Sequence, residues 1–234
     1  MTGIPWLGVR TPFPPVERAS PEGIVAAGGD LSPARLLAAY RQGIFPWYEE
    51  GGPIVWWSPD PRFVLFLDEF HLSRRDAREL RRRRFRITLD TAFAQLIGLC
   101  RTVHGAAGGT WITPEMTRAY GELHRRGLAH SVEAWDGATL VGGLYGVSLG
   151  RCFFGESMVS AVSGASKAAV SAVVPLLRTW GFAWMDCQVQ TTYLASLGAR
   201  AIPRRLFLQL LQDGLGQPGI EGSWTGLYRC PPPE

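Results

Sequence analysis

Lysine is almost missing from this 234-residue chain: Lys167 is the sole one, and arginine supplies the rest of the basic charge. The net charge of +4 and a pI of about 9.1 favour an anionic partner, although one basic run can supply most of that excess. Arginine in place of lysine fits a GC-rich codon bias as well as it fits phosphate binding, so the bias decides nothing alone. Cysteine is scarce too. Cys100, Cys152, Cys187 and Cys230 lie far apart in apolar contexts, with no CxxC pair and no Cys/His cluster, which excludes a disulfide framework and a zinc site and leaves buried thiols of a reducing cytosol. The N-terminal stretch MTGIPWLGVRTPFPP has no cationic start followed by an apolar core. No run approaches the roughly 18 uncharged apolar residues of a membrane span, so a soluble, cytoplasmic protein with no membrane contact is expected. There is also no internal repeat, Gly-rich phosphate loop, GxSxG elbow or HExxH helix. His71, His104, His124 and His130 keep no metal-ligand spacing and read as surface or helix-packing residues.

What the chain does have is apolar bulk, 46% hydrophobic residues, enough for one large domain or a small one on a larger one. Residues 1–29 carry Pro12, Pro14, Pro15 and Pro21, which prevent a long helix up to the Gly28-Gly29 pair. A helix follows, capped by Asp30 or Ser32, with Pro33 in its first turn, Leu36, Leu37 and Tyr40 on its apolar face, and Gly43 at its end. Trp47, Trp56 and Trp57 come next, hemmed by prolines. They either wedge a small domain onto a larger one or stack on a base. A strand from Phe63 to Leu67 enters the second unit. Arg74, Arg75, Arg78 and Arg81 to Arg84 then place seven arginines within eleven residues, offset only by Asp76 and Glu79, more than a solvated face requires.

Arg86 to Leu89 reads as a strand, Asp90 as the cap of a helix bearing Phe93, Leu96, Ile97 and Cys100, and His104 to Gly109 as a flexible link. Thr113 and Pro114 open another helix with Met116, Tyr120 and Leu123 inward; Trp111 just before it is a hydrophobic staple or an exposed aromatic at a site's edge. The period then switches to two. Ser131 to Trp135, Thr139 to Ser148 and Arg151 to Met158 form an antiparallel meander, its middle strand interrupted by Gly142, Gly143 and Gly146 as a bulge or a close ligand approach demands. Glu156 in an apolar strand end needs a partner, an arginine or a backbone amide. A long helix from Ser166 to Trp180 delivers the chain into FAWMDCQ, where Asp186 and Gln188, two apart on a strand, share a face. An unpaired carboxylate inside such a run is expensive, so Asp186 is either paired or used. A last helix, Arg204 to Gln212, precedes a Gly/Pro-rich tail expected to be partly disordered.

The blocks GGDLSPARLLAAYRQGIFPW, WWSPDPR, GTWIT, HSVEAW, LVGGLYGV, FFGESM and DCQ with LASLGARAIPR run in order from Gly28 to Arg205, and by them the chain resembles the leucyl/phenylalanyl-tRNA-protein transferases. The resemblance implies an α+β protein: a small N-terminal domain, residues 1–62, and a GCN5-related N-acetyltransferase-like domain, residues 63–234, with a mixed, mostly antiparallel sheet. It implies transfer of Leu, Phe or less often Met from aminoacyl-tRNA to a protein N-terminal Arg or Lys, marking the protein for degradation in a bacterial cytosol. Trp47 and Trp111 are thereby placed at the 3' adenosine of the tRNA. Leu144, Phe153, Gly155, Met158, Val170, Val173 and Met185 are placed around the amino-acid side chain, and Glu156 near the substrate. Asp186 and Gln188 are placed at the chemistry, and Arg74, Arg78, Arg81 and Arg82 on the acceptor stem. Tyr193 stands where many members carry His.

The reaction is aminolysis of an ester by an amine already partly neutral at cytosolic pH, so orientation outweighs base strength. The expected device is Asp186 accepting a hydrogen bond from the Gln188 carboxamide, whose oxygen then holds the amine. No metal and no organic cofactor is implied, and a monomer is expected. Two other readings stay open: a CoA-dependent N-acyltransferase, for which the [RQ]xxGx[GA] loop is lacking between Gly155 and Lys167, and a non-catalytic tRNA-binding module, which has no need of Asp186 and Gln188.

Overall fold

The computed structural model describes residues 3–82, 84–106 and 108–228, so Arg83 and Cys230 of the readings above lie outside the described residues. The first unit contains β1 (Trp6–Leu7), a 3-10 turn, β2 (Ile24–Gly28), α1 (Pro33–Tyr40), β3 (Phe45–Pro46) and β4 (Val55–Trp57). Its four strands form a small sheet in the order β1-β2-β4-β3. Ser32 rather than Asp30 caps α1, accepting the Arg35 N–H at 3.3 Å.

The chain continues through β5 (Arg62–Phe66), α2 (Arg74–Arg81), β6 (Arg86–Leu89), α3 (Phe93–Ala106), α4 (Pro114–Arg125), β7 (Ala129–Asp136), β8 (Thr139–Leu149) and β9 (Cys152–Ser160). It ends with α5 (Ala165–Thr179), β10 (Trp184–Gln188), α6 (Thr192–Ser196), β11 (Arg200–Ile202) and α7 (Arg204–Leu215). The seven-stranded sheet has the order β11-β5-β10-β9-β8-β7-β6. It is mixed, and its one parallel pair, β9 with β10, is joined by α5 as a crossover. One core lies between this sheet, α3, α4, α7 and the small sheet, where Tyr40, Trp56, Tyr120 and Phe154 meet. A second core lies under α5, around Phe153, Val170 and Val173. Among the described residues no helix is long and apolar enough to cross a membrane.

The glycines of β8 answer a crowding by protein rather than by ligand. A Cβ on Gly143 would sit 2.2 Å from the Val132 carbonyl oxygen, and one on Gly146 2.3 Å from that of Phe154.

Three expectations are corrected here. Asp90 does not cap α3; it is buried, and its oxygens accept from Ser131 N at 2.8 Å and Trp224 N at 2.7 Å and lie 2.8 Å from His130 Nδ1. Glu133, reaching over from β7, takes the Ala92 N–H just before α3 instead. His130, read as a surface or helix-packing residue, is not on the surface: it is buried on β7, and its ring stacks on Trp224 with centroids 3.8 Å apart. The link between α3 and α4 is shorter than expected, because α3 continues through His104 to Ala106. Of the tail expected to be partly disordered, the stretch around Trp224 is ordered, since Trp224 is 0% exposed and packs between His130 and Trp180, and residues 229–234 lie outside the described residues. A large aromatic that finds an apolar slot orders the glycine-rich chain around it.

Candidate active site

The site forms where the parallel pair stops pairing. β9 and β10 are in register only at Met185↔Phe153 and Asp186↔Phe154, after which β9 runs on to Ser160 while β10 ends at Gln188. A bulge sits at the same place. On the other side of β9, Gly146 pairs Gly155 and Tyr145 pairs Ser157, so Glu156 has no partner across the ladder. The opened strands and the bulge leave a cavity of about 360 Å³, lined by Gly155 to Met158 of β9, Met185 to Gln188 of β10, and Leu144. Phe45, Pro46 and Trp47 of the first unit, with His104 and Trp111, form its other wall.

Asp186, 0% exposed, is fully paired. Arg62, 1% exposed, donates from Nε to Oδ1 at 2.8 Å and from Nη2 to Oδ2 at 2.6 Å. The third guanidinium nitrogen, Nη1, donates to the Gly43 carbonyl at 3.1 Å, and the plane lies against the rings of Phe45 and Phe207. Asp186 Oδ1 also accepts the backbone N–H of Gln188 at 2.9 Å. Gln188 has φ of 62° and the ladder to β5 slips between positions 186 and 188, so the regular alternation expected of this strand does not hold. The left-handed backbone turns the Gln188 side chain away from Asp186 and toward Glu156. Its Nε2 donates to Glu156 Oε1 at 3.0 Å. This corrects the expectation that Asp186 holds the carboxamide: Asp186 holds the backbone, and Glu156 holds the side chain. The Gln188 side chain held in this way belongs to the lining of the cavity.

Among the described residues Glu156, 6% exposed, is met not by the expected arginine or backbone amide but by Tyr120, whose hydroxyl donates to Oε2 at 2.8 Å. Tyr40 stands behind, its hydroxyl 2.5 Å from that of Tyr120. Burial pushes the Glu156 carboxyl up to about 7, the tyrosine hydrogen bonds pull it back, and the Asp186 charge adds to the rise. Burial, reinforced by the neighbouring Glu156 charge, also lifts Tyr40 and Tyr120 well above their usual range, so both remain donors.

The three tryptophans divide their roles. Trp56 is core, with Nε1 donating to the Gly28 carbonyl at 2.8 Å. Trp57 donates to the Trp47 carbonyl at 2.7 Å and props that ring, leaving Trp47 39% exposed at the cavity. Trp111 is half-buried and faces the cavity from the start of α4. Of the side-chain pocket residues expected, Leu144, Gly155, Met158 and Met185 line the cavity, whereas Phe153, Val170 and Val173 lie behind it in the core under α5. Arg74, Arg78, Arg81 and Arg82 are exposed on α2 and its end, outside the cavity, and form no ion pair among the described residues. α2 is tied to the site's flank: Asp76 pairs Lys167 of α5 at 2.5 Å, and the Lys167 ammonium lies 6.0 Å from the ring of Tyr193, a cavity residue.

Sequence reading missed Arg62, Tyr40 and Tyr120. Arg62 sits at a strand start, and the tyrosines occupy apolar helix positions, so only their spatial neighbours mark them. His104, read as part of a link, lines the cavity with Nε2 3.2 Å from Ser157 Oγ.

Fold and site together define a mixed α+β protein with an apolar, ligand-sized cavity in whose lining a buried acid holds an amide side chain. The family model for leucyl/phenylalanyl-tRNA protein transferase matches residues 64–212, and the model for that family's N-terminal domain matches residues 29–60. The chain belongs to the leucyl/phenylalanyl-tRNA protein transferase family. It is 55% identical to the leucyl/phenylalanyl-tRNA–protein transferase of Syntrophus aciditrophicus over 94% of this chain and 92% of that one. It is 53% identical to the protein of the same name from Aromatoleum aromaticum, over 97% and 95%. Among solved structures, that of L-PGS from Bacillus licheniformis is similar at a TM-score of 0.42 and 7% identity, covering 80% of this chain and 71% of that one, too distant a likeness to carry an argument.

Proposed function

We propose that the cavity is where the 3' end of an aminoacyl-tRNA meets the N-terminus of an acceptor protein, the chain being an aminoacyltransferase of its family. The observation that carries this reading is the carboxamide of Gln188, held by Glu156 in the lining of an apolar cavity that two indoles also line. Trp47 and Trp111 stack the terminal adenosine. Leu144, Met158 and Met185 surround a Leu, Phe or Met side chain, with Phe153, Val170 and Val173 as the backing that sets their depth. Such a pocket selects by shape, where a methylene is worth only about 1–3 kcal/mol, so mixed use of these amino acids is expected.

The acceptor's α-amino group, from an N-terminal Arg or Lys, donates a hydrogen bond to the Gln188 oxygen and attacks the ester carbonyl. A C–N bond forms, the C–O3' bond breaks, the amine gives up one proton and the ribose oxygen gains one. Glu156, held near neutrality, and the neighbouring 2'-hydroxyl are the groups within this arrangement suited to pass that proton. Arg74, Arg78, Arg81 and Arg82 meet the acceptor stem, and each arginine changed to Ala should lower the salt slope of tRNA affinity by about one.

The division of the chain near residues 62 and 63, the GCN5-related N-acetyltransferase-like fold of the larger part, a monomeric state and a cytoplasmic location complete this reading. The two separately matched segments and the single crossover beside the site support it.

The test is transfer of labelled leucine from Leu-tRNA to an Arg-starting peptide, with acetyl-CoA as a competing donor. Gln188→Ala should lower kcat by about 100-fold while tRNA binding persists. A wild-type rate in that variant removes Gln188 from the chemistry, and acetyl transfer in place of leucyl transfer removes the whole reading.

A further inference from the structure

Arg62 stands where three separate stretches of chain converge on the site. It begins β5, its Nη1 bonds the Gly43 carbonyl after α1, and its guanidinium is clasped between Phe45 of β3, 4.8 Å away, and Phe207 of α7, 4.5 Å away. The first turn of α7 is bound to the same corner, with Arg204 donating from N to Asp60 Oδ1 at 3.0 Å and from Nη1 to the Ser58 carbonyl at 2.6 Å. On its other side the guanidinium holds both oxygens of Asp186. Asp186 Oδ1 in turn accepts the Gln188 N–H, which sits in a left-handed conformation that a side-chain-bearing residue adopts only when its surroundings impose it. Phe45, Pro46 and Trp47 of one wall and Gln188 of the other are thus referred to one planar cation.

We propose that Arg62 is a positioning residue for the transfer reaction: by clamping Asp186 on one side and the Gly43–Phe45 segment on the other, it sets the Gln188 amide relative to the wall that carries Trp47. This rests on the function proposed above and adds to it a role for a residue that touches neither substrate. Asp186 is accordingly a link in the clamp and not a group that exchanges protons. A planar, five-donor fork is needed for this, since it must meet two carboxylate oxygens and a carbonyl at once. Lysine keeps the charge but reaches one of them.

Three measurements on the full chain test it. In Arg62→Lys, kcat for leucyl transfer should fall about 100-fold with KM for Leu-tRNA changed less than about threefold, as expected of misplacement by about an ångström. Exchange of the Gln188 amide hydrogen should quicken at least about tenfold while the β8 amides stay protected. In the double variant Arg62→Met with Asp186→Leu, apolar groups of similar size replace the buried pair, so the melting temperature should hold or rise while transfer stays lost. An unchanged kcat in Arg62→Lys, or transfer restored in the double variant, overturns the proposal. So does a loss of kcat that only follows a fallen folded fraction, with Gln188 exchange in the remaining folded protein unaltered. If the wild-type chain itself fails to transfer leucine, the functional reading falls, and the Gln188 exchange rate still decides whether Arg62 holds that residue.

Discussion

Glu156 is a carboxyl group held among the described residues by uncharged donors, Tyr120 and Gln188 with Tyr40 beside them, and burial lifts it from 4.5 to about 7. A carboxyl raised in the folded state favours folding most fully below its unfolded value, and that advantage fades as pH climbs from about 4.5 through about 7. Stability should fall across that window by on the order of 3 kcal/mol from this group. Glu156→Gln should flatten that fall, which denaturant unfolding of both proteins at pH 5 and pH 8 would reveal; equal slopes would mean that Glu156 titrates normally. At this scale the sequence showed that Asp186 and Glu156 each need a partner. It did not show which partner, because Arg62 lies 124 positions from Asp186 and Tyr120 lies 36 from Glu156. The positive φ of Gln188 was equally hidden, since it follows from an accepting oxygen on Asp186 and not from any preference of glutamine.

Among elements, β8 shows how tightly the sheet is pressed between its covering helices. Gly143→Ala would thrust a methyl toward the Val132 carbonyl and to 2.9 Å from Leu96 Cδ1 of α3, both within a closely packed core. Its cost should be roughly 1–3 kcal/mol, read as a lowered urea midpoint at constant m. The glycine run read as a bulge or a close ligand approach; the ladder does slip between Tyr145 and Gly146, but the groups that crowd the glycines are a neighbouring strand and a helix, which only the assigned faces of the sheet reveal. Caps and helices with full periodicity were legible in places, as with Thr113, which caps α4, but not at α3, where Asp90 turned inward instead. The end of α3 was not legible either, since glycines near His104 suggested a link where packing against β9 carries the helix further.

The whole molecule depends on its last described residues more than their composition suggests. Trp224 closes the core below the cavity, stacked on His130, edge-on to Trp180 and 5.8 Å from Phe153, while its backbone holds Asp90. Trp224→Ala should remove about 3–5 kcal/mol of stability. A melting temperature within a degree of wild type would show the tail to be a loose cover. Because Phe153 backs the cavity, the same variant should also weaken discrimination between leucyl and phenylalanyl donors in a transfer assay.

Local chemistry alone decided much about this protein. Proline, glycine and capping residues set the elements, period-two alternation set the meander, and the ordered blocks set the family, because each of these signals is complete within a few residues of chain. The tertiary structure decided the rest: that β9 and β10 part to open a cavity, that Glu156 rather than Asp186 aims the Gln188 amide, and that an arginine at the start of β5 pins both walls. Those are pairings between charged or polar groups buried far from one another in sequence, and such groups reveal their partners only once the chain has brought them out of water together.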